Sequence, residues 1–111
     1  MFYSCMIQDG QVSDKHRTEL ETKLSDLARE IFADGDSTFN WVVIESGHGF
    51  TAAKPSTSSL ALALVPDGTD QADRELFMER ICSIWMDTTD CSVNEIVATA
   101  ADASTFAQAN N

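Results

Sequence analysis

Apolar and polar residues follow a pattern that predicts two copies of a unit made of a strand, a helix and a strand. Runs rich in aromatic and β-branched residues at 1–8 and 39–45 are typical of strands. A helix is expected between them, beginning after the N-cap Ser13 and ending near residue 32, with Gly35 as a left-handed cap. Its apolar stripe, at the helical period, is formed by Leu20, Leu24, Leu27, Ala28 and Ile31.

The second half of the chain repeats this pattern. The turn signal Asp9-Gly10 returns at Asp67-Gly68, after a third strand at 60–65. A second helix begins after Thr69 or Asp70, and a fourth strand is expected at 94–99. The first four stripe positions, shifted by 57, give a second apolar stripe at Phe77, Ile81, Ile84 and Trp85. The repeat units therefore span about 1–46 and 59–100, joined by the loop 47–58.

These elements predict an α+β fold with one four-stranded sheet and both helices on one face of it. Each helix is long enough to cross over between two parallel strands. The other face of the sheet is then bare, and we expect it to be lined by Tyr3, Cys5, Trp41, Val43 and Leu62. It is too apolar to meet water, and the tail 100–111 is too short and small-sided to cover it. Burial therefore predicts self-association as a symmetric oligomer.

Composition narrows the class of protein. The length of 111 residues indicates one domain, 1–111. Seven basic and eighteen acidic side chains give a net charge of −11, which opposes nucleic acid and anionic membranes as partners. The chain has neither a leader pattern nor an apolar run long enough for a membrane helix, so a soluble, cytoplasmic protein is expected. Cys5, Cys82 and Cys91 show neither metal-ligand nor disulfide spacing, so no metal site is expected.

Candidate chemistry starts at Met1, where a buried strand would hold the chain's α-amine in place. Such an amine titrates near ~8, so beside a cavity it is a credible base or nucleophile; the alternative is an ordinary mobile end.

Three further cations are candidates for ligand binding. His48 and Lys54 lie on a loop rich in glycine and serine, with a short hairpin at 49–52. Arg74 lies in the first turns of the second helix, where Asp70 is its partner at helical spacing. The alternatives are a polar loop tip for His48, a surface charge for Lys54 and an exposed helix residue for Arg74.

The duplicated unit, the strand that opens at residue 1, and the segment 47–56 (GHGFTAAKPS) resemble the tautomerase superfamily. The similarity is greatest to its 4-oxalocrotonate tautomerase type and to the long-chain branch with cis-3-chloroacrylic acid dehalogenase. The resemblance implies a MIF-like fold, a homotrimer whose sheets form a central barrel, and proton transfer by an N-terminal proline without a cofactor.

This chain departs from the family's site pattern. Met1 stands where the resemblance places the proline, and Phe2 after it opposes trimming of the methionine. Ala28 stands in place of a histidine, and Pro66 and Thr69 in place of two arginines that bind a substrate carboxylate. The last strand also has no counterpart of the family's tyrosine. We therefore expect this chain to have the fold of the family but not its usual mechanism.

Two functions remain open at this point. The first is an isomerase-like enzyme with altered or weak activity on a small enolisable carbonyl compound. It would use the Met1 amine, with His48, Lys54 and Arg74 near a carbonyl or carboxylate ligand. The second is a non-catalytic relative that binds a small ligand or serves as a structural trimer.

Overall fold

The computed structural model describes residues 1–105, so the last six residues of the expected domain and tail lie outside it. Both repeats form a strand, a helix and a strand, and a small hairpin connects them. The elements are β1 (Phe2–Gln8), α1 (Asp14–Phe32), β2 (Thr38–Ile44), β3 (Phe50–Thr51), β4 (Lys54–Pro55), β5 (Ser59–Val65), α2 (Gln71–Thr89) and β6 (Ile96–Asp102).

The four long strands form one sheet in the order β2, β1, β5, β6. Each repeat contributes a parallel pair, β1 with β2 and β5 with β6. The two repeats meet at the centre, where β1 pairs antiparallel with β5. The predicted α+β architecture is therefore confirmed. Because β1 and β5 run in opposite directions, the start of each lies beside the end of the other.

The helices pack as the apolar stripes predict. α1 buries Leu20, Leu24, Leu27 and Ala28, and α2 buries Phe77, Ile81 and Trp85. Ser13 caps α1 and Asp70 caps α2, each by accepting a backbone N–H three residues later. The expected cap at Gly35 is wrong, because Ala33 takes the left-handed conformation with φ 55°. Its N–H bonds to the Arg29 carbonyl, which offsets the modest cost of that conformation.

The assignment of residues to the bare face is largely wrong. Tyr3 and Cys5 are fully buried on the helix side, where the Tyr3 hydroxyl donates to the Leu24 carbonyl at 2.8 Å. Pairing in register with these two strand residues places Phe39 and Trp41 on the same side. Of the expected set, Leu62 alone lies on the bare face, since it pairs with Ser4. Alternate residues along a strand lie on opposite faces of the sheet. Because both faces of this sheet carry apolar residues, the sequence pattern does not show which face the helices cover.

Two segments differ in length from expectation. The loop between the repeats contains a hairpin that spans 50–55 rather than the expected 49–52, formed by the pairing of Phe50 with Pro55 and of Thr51 with Lys54. The last strand begins later and continues to Asp102, so the first part of the expected tail is strand.

Among residues 1–105, no helix has the length and apolar character needed to cross a membrane.

Candidate functional site: the N-terminal ammonium

The Met1 amine is held at the start of β1 by two acceptors. It lies 2.6 Å from Asp34 Oδ2, as an ion pair, and 2.5 Å from the Asp36 carbonyl oxygen. The Met1 side chain is only 1% exposed and packs against the hydrophobic core. The amine is therefore fixed in place at the end of the sheet.

The path of the first repeat brings these groups together. In a parallel pair bridged by one helix, both strands start at the same edge of the sheet. The residues that precede β2 therefore lie beside the start of β1, and the Thr38 N–H donates to the Met1 carbonyl at 2.9 Å. Sequence reasoning treated Asp34 and Asp36 only as residues that end the first helix. Both aspartates come directly before the second strand of the repeat. This position could have predicted that they lie beside the chain's amine.

The ion pair also changes the carboxylate. The hydrogen bond from the Met1 ammonium lowers the pKa of Asp34, and the Asp36 N–H, which donates to the other carboxylate oxygen at 3.1 Å, adds to the effect. Asp34 is therefore ionised at neutral pH, beside a group that carries transferable protons. The pair has the components of a proton donor with a carboxylate partner.

The Arg74 side chain makes hydrogen bonds that connect two elements of the fold. Its guanidinium donates to the Ala100 carbonyl and to Asp102 Oδ1, both at 2.7 Å, and to the Thr69 carbonyl at 3.3 Å. The expected pairing with Asp70 is wrong, because that carboxylate caps α2 while Arg74 joins the start of the helix to the end of β6. With 18% of its side chain exposed, Arg74 links two elements at the Met1 end of the sheet, about 10 Å from β1 by strand spacing.

His48 and Lys54 lie at the other end of the sheet. Both are on the loop that follows β2, whereas Met1 precedes β1, and a seven-residue strand separates the two ends by roughly 20 Å. The His48 side chain is 68% exposed, with Nδ1 at 3.8 Å from a Glu45 carboxylate oxygen. Within one protomer these two residues and Met1 therefore cannot contact the same small ligand.

Two adjoining cavities lie at that second end. One, of about 350 Å³, is open to solvent and is lined mostly by polar residues at the end of β1, in the hairpin and at the start of β6. Its lining includes Gln8, Asp9, Gln11, Ser56, Thr57 and Glu95. The other, of about 440 Å³, includes Lys54 and shares Thr57 and Glu95 with the first. A third cavity of about 570 Å³ runs along α2 beside Cys82 and Met86. Met1 lines none of these three.

Two of the three cysteines, Cys5 and Cys82, are poor candidates for a nucleophile. Burial raises the pKa of the Cys5 thiol to about 12, and Glu21 adds to this effect. Burial also raises the pKa of Cys82. Both thiols are therefore protonated at neutral pH, and thiolate chemistry is disfavoured. Among residues 1–105, no cluster of three or more His, Cys, Asp or Glu side chains is arranged to hold a metal ion.

Comparison with known proteins gives likeness in structure without likeness in sequence. No family model matches the chain, and no curated protein matches it. The structure of native Ps01740 is similar with a TM-score of 0.87 at 22% identity, covering 95% of this chain and 97% of that one. N1, a member of the cis-3-chloroacrylic acid dehalogenase (cis-CaaD) family, gives a TM-score of 0.85 at 15% identity, covering 92% of this chain and 74% of its own.

A third structure, the Q0 fused 4-OT wild-type symmetric trimer, gives a TM-score of 0.82 at 10% identity, covering 92% of this chain and 85% of that one. These structures belong to the superfamily that the sequence resembles. At such low identity the likeness establishes the architecture. The chain therefore has the fold of the tautomerase superfamily, as its sequence predicts.

Proposed function

We propose that this protein is an altered or weak tautomerase that acts on a small enolisable carbonyl compound through the Met1 amine. The observation that carries the proposal is the 2.6 Å contact between that amine and the Asp34 carboxylate, at the end of a buried strand. An amine held in a fixed place can supply both functions that tautomerisation needs, delivery of one proton as the ammonium and removal of another as the neutral amine. The fold supports this class of reaction, and the primary amine is what alters it.

The proton balance is as follows. The Met1 ammonium delivers a proton to the carbon of an enol, and the neutral amine that results accepts the proton of the enol oxygen. Carbon and oxygen thus exchange one proton and the amine returns to its starting state. Because Asp34 holds the ammonium, the amine must leave this carboxylate before it reaches a substrate, so we expect the activity to be weak.

Self-association completes the proposal. The bare face of the sheet carries Met6, Val42 and Val97 as exposed apolar side chains, together with Leu60 and Leu62. We infer a homotrimer that buries this face, an assembly supported by the similar trimer of fused 4-OT. A second protomer would also be needed to bring His48 and Lys54 near Met1, because one protomer holds them at opposite ends. Location in the cytoplasm remains a prediction from the sequence.

The direct test is turnover of phenylpyruvate and 2-hydroxymuconate, measured as ketonisation above the buffer rate. We expect a slow rate that is lost when the Met1 amine is blocked by acetylation. A rate equal to buffer, from protein that is still trimeric, would contradict the catalytic proposal.

The second candidate is a non-catalytic trimer or small-ligand binder. Arg74 favours it, because its guanidinium donates three hydrogen bonds within the protomer and forms an ion pair with Asp102, so its charge is already balanced without a substrate carboxylate. Under this alternative the Met1 ion pair is purely structural. Turnover would then be absent while the assembly and its stability remain intact.

A further inference from the structure

Ser37 lies directly opposite Met1 where the two strands of the first repeat begin. The Met1 amine donates to the Asp36 carbonyl at 2.5 Å, and the Thr38 N–H donates to the Met1 carbonyl at 2.9 Å. In a parallel pair, a residue that bonds to both neighbours of a residue on the next strand lies opposite that residue. Adjacent strands are about 5 Å apart, and opposite residues point to the same face of the sheet. The Ser37 side chain is therefore a neighbour of Met1.

The Ser37 hydroxyl is buried and has no partner among residues 1–105. Side chains alternate along a strand, so Ser37 lies on the same face as Phe39, which the helices cover. The Met1 side chain, 1% exposed, lies on this face as well. Within the described chain Ser37 Oγ neither donates nor accepts a hydrogen bond. Buried hydroxyls are normally hydrogen-bonded, so this exception requires an explanation.

The two observed partners of the Met1 amine suit only its charged form. An ammonium has N–H donors and no lone pair, and both the Asp34 carboxylate and the Asp36 carbonyl accept hydrogen bonds from it. A neutral amine has a lone pair, which needs a donor, and neither of these oxygen atoms can supply one. The proposed tautomerisation passes through the neutral amine. A donor beside the nitrogen would therefore stabilise that state.

Ser37 supplies the hydrogen-bond donor of the segment just before β2. Residues 33–37 are Ala, Asp, Gly, Asp and Ser, and the serine hydroxyl both donates and accepts. The next hydroxyl, that of Thr38, lies on the opposite face of the sheet and is exposed. Turning the Ser37 hydroxyl towards the amine breaks no existing hydrogen bond, because it has none within the described residues.

The second repeat gives an internal comparison. There the Ser59 peptide N–H donates to the Glu95 carbonyl at 2.8 Å, and Ser59 lies opposite Ile96. Ser59 and Ile96 therefore occupy the places of Met1 and Ser37. Ile96 is buried in the core. Where the donor is a peptide group that does not titrate, the opposite residue is apolar, and where the donor is an amine, the opposite residue carries a hydroxyl.

We propose that the Ser37 hydroxyl donates a hydrogen bond to the Met1 nitrogen when the amine is neutral. Ser37 is then a positioning residue, which holds the base in place between its two proton transfers without contacting the substrate. The bond to the lone pair exists only in the neutral state, so it favours release of the ammonium proton. Ser37 thereby adds a residue to the proposed function, on which its role depends.

Other charged and titratable groups at this end of the sheet stay in place when Ser37 is changed. Asp34 pairs with the ammonium and favours the charged form. The Arg74 guanidinium pairs with Asp102, and burial raises the pKa of the Tyr3 phenol, which stays neutral. The remaining groups are Asp36 before β2, the Glu30–Arg80 pair between the helices, and Asp67 and Asp70 before α2. A change in the titration of the amine on replacing Ser37 therefore reports the hydroxyl itself.

NMR of protein labelled with 13C-methionine follows protonation of the amine through the Met1 Cα signal. Loss of a donor to the lone pair favours the ammonium. Ser37→Ala should therefore raise the pH at which the amine titrates by at least about 0.5, which is roughly a threefold fall in the ratio of neutral to charged amine. Ser37→Thr keeps the hydroxyl and should retain the wild-type midpoint. Because no hydrogen bond of the resting state is lost, Ser37→Ala should unfold at no lower urea concentration than wild type.

The matched control is Thr38→Val, which removes the neighbouring hydroxyl from the exposed face and should leave the midpoint unchanged. An unchanged midpoint in Ser37→Ala, or an equal rise in Thr38→Val, would overturn the role of Ser37, even if the wild type turns over phenylpyruvate. A raised midpoint in Ser37→Ala alone, in a protein whose wild type shows no turnover, would support the contact between Ser37 and the amine and contradict the proposed catalysis.

Discussion

The starts of the two repeats share one backbone contact and differ in everything around it. At the first start, the donor is the Met1 ammonium, and Asp34 balances its charge. At the second, the donor is the Ser59 N–H, and Glu95 faces a polar cavity. Duplication of a supersecondary unit therefore preserves the hydrogen bond that positions the strands. The side chains beside it differ, because in the first repeat a carboxylate pairs with the ammonium and in the second a carboxylate lines a cavity.

The largest effect is expected when the face shared by both repeats is made polar. Leu62 lies on the bare face of the sheet, and Leu62→Asp should convert the proposed trimer to a monomer because a carboxylate cannot be buried there without a partner. The control is Leu76→Asp, at a helix position that is already 45% exposed. Sedimentation at fixed concentration gives the mass of each variant. An unchanged mass for Leu62→Asp would contradict assembly through this face.

Two arginines occupy corresponding positions in the two repeats but make different contacts. Arg17 and Arg74 each lie four residues after their helix N-cap. Arg74 makes charge-assisted hydrogen bonds to β6, whereas the Arg17 guanidinium lies 5.9 Å from the Trp41 ring centroid. Arg74→Ala should lower the free energy of unfolding by about 2–3 kcal/mol and Arg17→Ala by under about 1 kcal/mol. Urea unfolding at equal protein concentration measures both, and equal losses would show that Arg74 does not join the two elements.

Tyr3 marks the helix-covered face of the first repeat. Its buried hydroxyl donates to the Leu24 carbonyl, and burial raises the pKa of this phenol, which stays neutral. Tyr3→Phe should lower the free energy of unfolding by about 1–2 kcal/mol, because the carbonyl is left without this donor. Phe50→Leu, at an exposed aromatic residue of the hairpin, serves as the near-neutral control. A neutral Tyr3→Phe would mean that the hydroxyl contributes nothing to this face.

The smallest effect is the acid sensitivity of the first junction. The pKa of Asp34 is lowered in the folded chain, chiefly by the Met1 ammonium. Its contribution to stability is therefore present above the unfolded pKa of about 4 and is lost as the pH falls through the lower folded value. Because Asp34 is partly exposed, we expect less than about 1 kcal/mol. Unfolding of wild type and Asp34→Asn from pH 6 to pH 2 should converge at low pH, and parallel curves would contradict this contribution.

The fold could be predicted well from the sequence because each repeat has a clear spacing of apolar residues and helix caps. The stripes at Leu20 and Phe77, and the caps at Ser13 and Asp70, depend on local spacing that a sequence displays. Sequence reasoning misplaced Tyr3 and Cys5, because both faces of the sheet carry apolar residues. It missed Asp34 as a partner of Met1, and Asp102 as a partner of Arg74, because those contacts join positions far apart in the chain. The polar cavity depends on tertiary closure between Gln8 and Glu95, so no local pattern displays it.

Alkylation with 3-bromopropiolate measures whether the Met1 amine is reactive. Intact mass and peptide mapping locate the adduct, and Asp36→Asn is the control, since Asp36 contacts the amine through its backbone carbonyl. We expect saturating modification at Met1, faster in Asp34→Asn, where the carboxylate no longer holds the amine, and unchanged in Asp36→Asn. No modification, or modification only at Cys5, Cys82 or Cys91, would show that the amine is inert and would rule out catalysis by Met1.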